Sequence, residues 1–165
     1  MKKNLDFLKT YVEKFNDSTS TSLLFVGATG LGKTHLSTAM ATGIIYKGYD
    51  VIYDTAQNIL SDFEDERFRK DNLNESKGYL TKKYFTCDLL IIDDLGTELT
   101  NTFTLSVLYN LINTRVNSKK PMIISTNLMS KELNQRYDQR ITSRLLGAFE
   151  PILFHGKDIR MQKLN

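Results

Sequence analysis

Eight consecutive residues, Gly27-Ala28-Thr29-Gly30-Leu31-Gly32-Lys33-Thr34, fit the spacing G-x-x-x-x-G-K-[ST] at every position. Glycines at these places let the backbone take positive φ and approach an anion with no β-carbon in the way. Successive N–H groups then converge at a helix N-terminus, where the helix dipole also favours negative charge. Lys33 supplies a mobile point charge for β- and γ-phosphates, and the Thr34 hydroxyl is a candidate Mg²⁺ ligand. His35 follows in the first helical turn, where its backbone N–H is within reach of the same phosphates. The chemistry on offer is nucleoside triphosphate binding.

Two further groups suit that chemistry. Leu89-Leu90-Ile91-Ile92 is apolar throughout and ends in Asp93-Asp94. A carboxylate at the end of a buried strand can hold Mg²⁺, usually through water, which is the role expected of Asp93. Asp94 stands where a base could orient an attacking water, although Asp is one methylene shorter than Glu. Met122-Ile123-Ile124-Ser125-Thr126-Asn127 turns polar at its C-terminal end. It delivers Asn127 to the rim where ligands bind in open α/β sheets, within range of a γ-phosphate or lytic water.

These residues must be positioned by strands alternating with helices. Leu23-Leu24-Phe25-Val26 leads into the phosphate loop, and its continuous apolarity suits a parallel strand covered on both faces. The loop is followed by a helix through Leu36, Met40, Ala41, Ile44 and Ile45, which Gly48 can terminate. Asp50 to Tyr53 form a second strand, and Thr55 can cap the next helix. Residues 61–83 are highly charged without a clean period and predict one or two irregular helices. A helix from Thr102 buries Phe103, Val107, Leu108, Leu111, Ile112 and Val116. Ser130 is expected to cap a helical stretch through Leu133 and Tyr137 towards Leu145, before a last strand, Pro151 to Phe154. The whole predicts a three-layer α/β domain with a central parallel sheet. Residues 1–20 are expected to form an N-terminal helix and linker, and 21–165 the core.

Composition narrows the function classes. The chain has 165 residues, 41% of them hydrophobic and 25% charged, which suits one globular domain and not a disordered one. Its 22 Lys+Arg against 19 Asp+Glu leave a net charge of +3, tolerant of a polyanionic partner without demanding one. One cysteine excludes an intrachain disulfide framework and fits a reducing cytosol. No apolar run reaches the roughly 20 residues of a membrane span, and the charged N-terminal stretch through Asp6, Lys9 and Glu13 is not that of a signal peptide. A cytoplasmic location is expected. Arg67, Arg69, Lys70, Lys77, Lys82 and Lys83, interleaved with Phe68, Tyr79, Tyr84 and Phe85, could track a single-stranded backbone and stack bases, or form a solvated face weakened by neighbouring acids. His35's imidazole, His155 and Cys87 have no constellation around them.

Taken in order, Gly27 to Ser37, Leu89 to Glu98, Met122 to Asn127 and the block Arg136-Tyr137-Asp138-Gln139-Arg140 to Ser143-Arg144 resemble the AAA+ ATPase core of bacterial replicative-helicase loaders of the DnaC/DnaI type. The resemblance runs from about Leu23 to Arg160. It implies a P-loop NTPase fold without a full helical lid domain, with the Asn127 strand between those of Gly27 and Asp93. It implies ATP and Mg²⁺ as cofactors, Asn127 at the sensor-1 position, and Arg144 as an arginine finger acting on ATP held by a neighbouring subunit of a homo-oligomer. Arg140 lies in the same block, and Arg160 matches a sensor-2-like arginine. A replicative DnaB-type helicase and single-stranded DNA are the implied partners. Loaders grip the helicase through an N-terminal domain, of which only a short helix is present here.

Two other functions fit parts of the pattern. The ATPase subunit of an IstB-type transposition system has a very similar core, although Thr97-Glu98 after Asp-Asp-Leu-Gly favour the loader. A P-loop small-molecule kinase would need an arginine-bearing lid and an acceptor pocket, for which the sequence has no signature.

Overall fold

A computed structural model describes residues 2–69, 80–156 and 158. The elements run α1 (Lys2–Lys14), β1 (Ser22–Val26), α2 (Lys33–Ile45), β2 (Val51–Thr55), α3 (Ala56–Arg69), α4 (Lys82–Thr86), β3 (Leu89–Leu95), α5 (Thr102–Asn117), β4 (Met122–Thr126), α6 (Ser130–Arg136), α7 (Gln139–Ala148) and β5 (Phe149–Leu153). The five strands form one parallel sheet in the order β2-β3-β4-β1-β5. The expected placement of β4 between β1 and β3 is observed.

Strand residues alternate between two cores, one on each face of the sheet. Leu24, Val26, Leu90, Ile92 and Ile124 pack with residues of α3, α5, α6 and α7, among them Ile59, Leu108, Leu133 and Ile141. Leu23, Phe25, Leu89, Ile91 and Ile123 pack on the opposite face against Leu8 and Phe15 from the α1 side and Met40 and Ile44 from α2. Central strands are buried on both faces, which is why they read as unbroken apolar runs. The edge strands β2 and β5 are only partly buried. Helix α1 lies close against α2 because Gly43 presents no side chain. A β-carbon there would stand 2.7 Å from Val12 Cγ1.

Three local expectations are corrected. Residues 130–145 do not form one helix: α6 ends at Arg136, and the Asp138 carboxylate starts α7 by accepting from the Ile141 N–H at 3.0 Å. Ser130 is the first residue of α6 and not its cap; the Glu132 carboxylate accepts the Met129 N–H at 2.7 Å in its place. Tyr84 cannot stack a base, because it is fully buried and donates to Asp62 Oδ2 at 2.6 Å, while Phe85 packs against the same core. Arg115, which shares the inward face of α5 with Leu108, Leu111 and Ile112, is also fully buried. It donates to the carbonyls of Tyr84, Cys87 and Pro121 at 2.9, 3.1 and 2.9 Å.

Candidate nucleotide site

The loops that leave the C-terminal ends of β1, β3 and β4 meet at one rim of the sheet. From β1 the chain passes through Gly30 and Gly32 at φ +77° and +89°, a conformation that side chains with a β-carbon rarely adopt. Gly32 is the residue from which α2 starts, and no side chain caps that helix. The first intrahelical bond runs from the Leu36 N–H to the Gly32 carbonyl at 3.0 Å. The N–H groups of Lys33, Thr34 and His35 therefore have no acceptor within the helix and face the loop. That is the electrostatic setting in which a phosphate binds.

Lys33 is buried although charged. Its ammonium donates to the carbonyls of Gly27 and Ala28 at 2.5 and 2.9 Å and to Asn127 Oδ1 at 2.7 Å. The β1 loop and the end of β4, 94 residues apart in sequence, thus share one cation. The Asp158 carboxylate lies directly over Gly30, so that a β-carbon at that glycine would run into it.

The acidic pair is shaped by a bulge. Ile92 is level with Ile124, but Leu95 is level with Thr126, so β3 carries one residue more than β4 across Asp93 and Asp94. Asp94 takes φ +54°, which Asp tolerates better than most residues. Bulges of this kind redirect side chains beside functional sites. Ser125 clasps both acids: its hydroxyl donates to Asp93 Oδ1 and accepts the Asp94 N–H at 2.9 Å. Tyr53 donates to Asp93 Oδ2 at 2.5 Å from the adjoining strand β2. Burial and then the Asp93 carboxylate push the Tyr53 hydroxyl up to about 12, so it stays a donor at any physiological pH. Asp93 is thereby held by two neutral hydroxyls.

Sequence reasoning placed Lys33, Asn127, Asp93 and Asp94 as candidates, and these stand together at the rim. Thr34 and His35 are exposed on the first turn of α2. Ala28, Thr29 and Leu31 complete the loop, with Leu31 buried beneath it. Arg144 is half-buried on α7 and makes no hydrogen bond or ion pair with the described residues. Arg140 pairs with Asp138 at 2.9 Å and lies over the Tyr109 ring at 5.0 Å. Arg160 lies outside the described residues, as do Lys70, Lys77 and Tyr79. Ser125 and Tyr53 were missed. Ser125 was visible as the first polar residue of β4, whereas Tyr53 carried no signal apart from its strand.

The residues present fit a nucleotide with Mg²⁺. Among the described residues no group of three His, Cys, Asp or Glu side chains converges. Mg²⁺ in nucleotide sites needs none, being held by one or two protein groups, waters and the phosphates.

Comparison with known proteins agrees with this geometry. The family described as IstB-like ATP binding protein matches residues 9–162. The replicative helicase loader DnaC of Escherichia coli (strain K12) is 28% identical over 153 residues, covering 92% of this chain and 61% of the loader. The chain thus spans about three-fifths of that relative's length. Among solved structures, a DnaC helicase loader superposes with a TM-score of 0.81 at 24% identity, covering 93% of this chain and 89% of the other. AMPPCP-bound DnaA from Aquifex aeolicus superposes with a TM-score of 0.75 at 23% identity, covering 96% and 49%. The two superpositions establish the fold.

Proposed function

The chain belongs to the IstB-like ATP binding proteins, and from that premise we propose a magnesium-dependent ATPase switch that helps place a replicative helicase on single-stranded DNA during replication initiation or restart. The observation that carries the nucleotide part is the Lys33 ammonium, buried between the loop carbonyls and Asn127. A compact cation held there is poised to exchange these acceptors for phosphate oxygens. The helicase-loading part rests on similarity to DnaC over 92% of the chain.

Each residue then has a defined task. The N–H groups at the start of α2 cradle the phosphates, and Lys33 neutralises the β- and γ-oxygens. Thr34 and Asp93 would hold Mg²⁺, whose contribution is to offset the charge on the phosphoryl group. Tyr53 and Ser125 keep the Asp93 carboxylate oriented. Asp94 orients the attacking water, and Asn127, once Lys33 has turned to phosphate, offers its amide to the γ-phosphate or that water. Arg144 acts on ATP bound by the adjoining subunit, and Arg160 assists the nucleotide from the C-terminal side. The switch is cytoplasmic on this reading; no helix among the described residues is long and apolar enough to cross a membrane.

Two experiments test the reading. Asp93→Asn should leave ATP binding within a few-fold in calorimetry while magnesium-dependent turnover falls by about 10²-fold. Turnover at the wild-type rate would remove Asp93 from its role. For the partner, the full-length protein should retain its host's replicative helicase in a pull-down, with retention that changes between ATP and ADP. The family match favours a second reading, a transposition ATPase. Retention of the cognate transposase with none of the helicase would establish that reading instead.

A further inference from the structure

The Glu98 carboxylate is one of the few charged groups sealed inside the molecule, with 1% of its side chain exposed. It sits where the loop after β3 meets the joint between α6 and α7. Oε2 accepts the Gly96 N–H at 2.8 Å, and Oε1 accepts the Tyr137 hydroxyl. Arg136 donates to the Glu98 carbonyl, and its Nε lies 3.8 Å from Oε1. Tyr137 is the residue at which α6 ends, and Asp138, next to it, caps α7.

On the other side, the contacts run to the acidic pair. Gly96 is two residues beyond Asp94. The Asp94 carbonyl accepts the Thr97 hydroxyl at 2.9 Å, and the Asp94 N–H is held by Ser125. The Leu95 carbonyl accepts the Thr126 hydroxyl at 2.7 Å. A path of hydrogen bonds joined through neighbouring residues of the chain therefore runs from Asp93–Asp94 through Glu98 and Tyr137 to Asp138 and the first turn of α7, the helix of Arg144. A buried carboxylate is costly unless fully satisfied, so the loop and the joint cannot move independently while it stays bonded.

We propose that Glu98 is a positioning residue that couples the acidic strand end to α7, so that nucleotide bound in one subunit sets how that subunit presents Arg144 to its neighbour. The presentation of Arg144 rests on the reading of that residue as a trans-acting finger; the coupling from β3 to α7 does not. Burial and the nearby Glu98 carboxylate push the Tyr137 hydroxyl up, which keeps it a permanent donor to the link. Tyr137→Phe is the cleanest cut, since it removes one hydroxyl from the path and leaves the ring in the core.

Hydrogen exchange on the full chain, with and without AMPPCP and Mg²⁺, reads the coupling without any need for assembly. Wild type should show nucleotide-dependent protection in residues 139–148, and Tyr137→Phe should lose that response while its phosphate loop remains protected. Absence of the response in wild type, or its survival in both Tyr137→Phe and Glu98→Gln, overturns the proposal. Turnover in mixed assemblies then separates the two readings. With Asp93→Asn subunits, which keep nucleotide but turn it over slowly, as finger donors and Arg144→Ala subunits as ATP holders, Tyr137→Phe in the donor should lower kcat about fivefold with KM within twofold. Tyr137→Phe in the holder should leave kcat unchanged. A coupled exchange response with no activity in the unmodified mixture would overturn the finger reading and leave the coupling standing. A loss of kcat that follows the holder, or no loss in either subunit, would contradict the presentation of Arg144 through this link.

Discussion

Ser125 touches both halves of the acidic pair with one oxygen, donating to Asp93 and accepting from the Asp94 backbone. Ser125→Ala should therefore release the carboxylate and relax the bulge together. We expect turnover to fall about tenfold with ATP affinity little changed, a split that steady-state kinetics and calorimetry would resolve. Tyr53→Phe removes only one of the two hydroxyls on Asp93 and should cost less. Lys33→Ala should abolish tight ATP binding, because the loop amides alone cannot offset the phosphate charge. Asp158 makes the opposite case. Its carboxylate lies over Gly30, and a like charge near a phosphate site costs about 1 kcal/mol in a solvated setting. Asp158→Asn should tighten ATP binding about fivefold in calorimetry; equal or weaker affinity would show that the carboxylate does not oppose the nucleotide.

At the scale of elements, two buried or capping side chains fix what the strands and helices can do. Arg115 satisfies three carbonyls at the lower end of the sheet, and Arg115→Met would leave them buried without donors. A loss of about 3 kcal/mol or more follows, lowering Tm by about 6–12 °C in a thermal melt. Asp138 caps α7, and the Arg140 side chain together with the Ile141 N–H holds its carboxyl below the usual carboxylate range. Its folded value lies below the unfolded one, so it stabilises the fold above about pH 4. That contribution is lost as pH falls further through the folded value. Asp138→Asn keeps a capping oxygen but cannot titrate. Its Tm at neutral pH should stay close to wild type, and its decline below pH 5 should be shallower. The same elements show what could be read in advance. The central strands were legible because burial on both faces leaves a continuous apolar run. The break at Tyr137–Asp138 was not, because Leu133, Tyr137, Ile141 and Leu145 keep helical spacing straight across it. Nor was the β3 bulge, which exists only in the register between β3 and β4. Tyr84 was read as a surface ring because charge and aromatic content in a segment do not reveal which of its side chains pack inward.

For the whole molecule, the central claim is that one subunit holds ATP and its neighbour completes the site. The phosphate loop, the acidic pair and Asn127 lie together at one rim, whereas Arg144 sits on α7 without a bond to the described residues. Arg144→Ala should then bind ATP within a few-fold of wild type and hydrolyse it poorly. The most direct test mixes Arg144→Ala with Lys33→Ala subunits under conditions where light scattering shows oligomers. Each variant alone should be nearly inactive. The mixture should regain activity, because an intact ATP site on one subunit meets an intact finger on the other. A mixture that assembles yet stays as inactive as either variant alone would contradict the account and return Arg144 to a surface arginine.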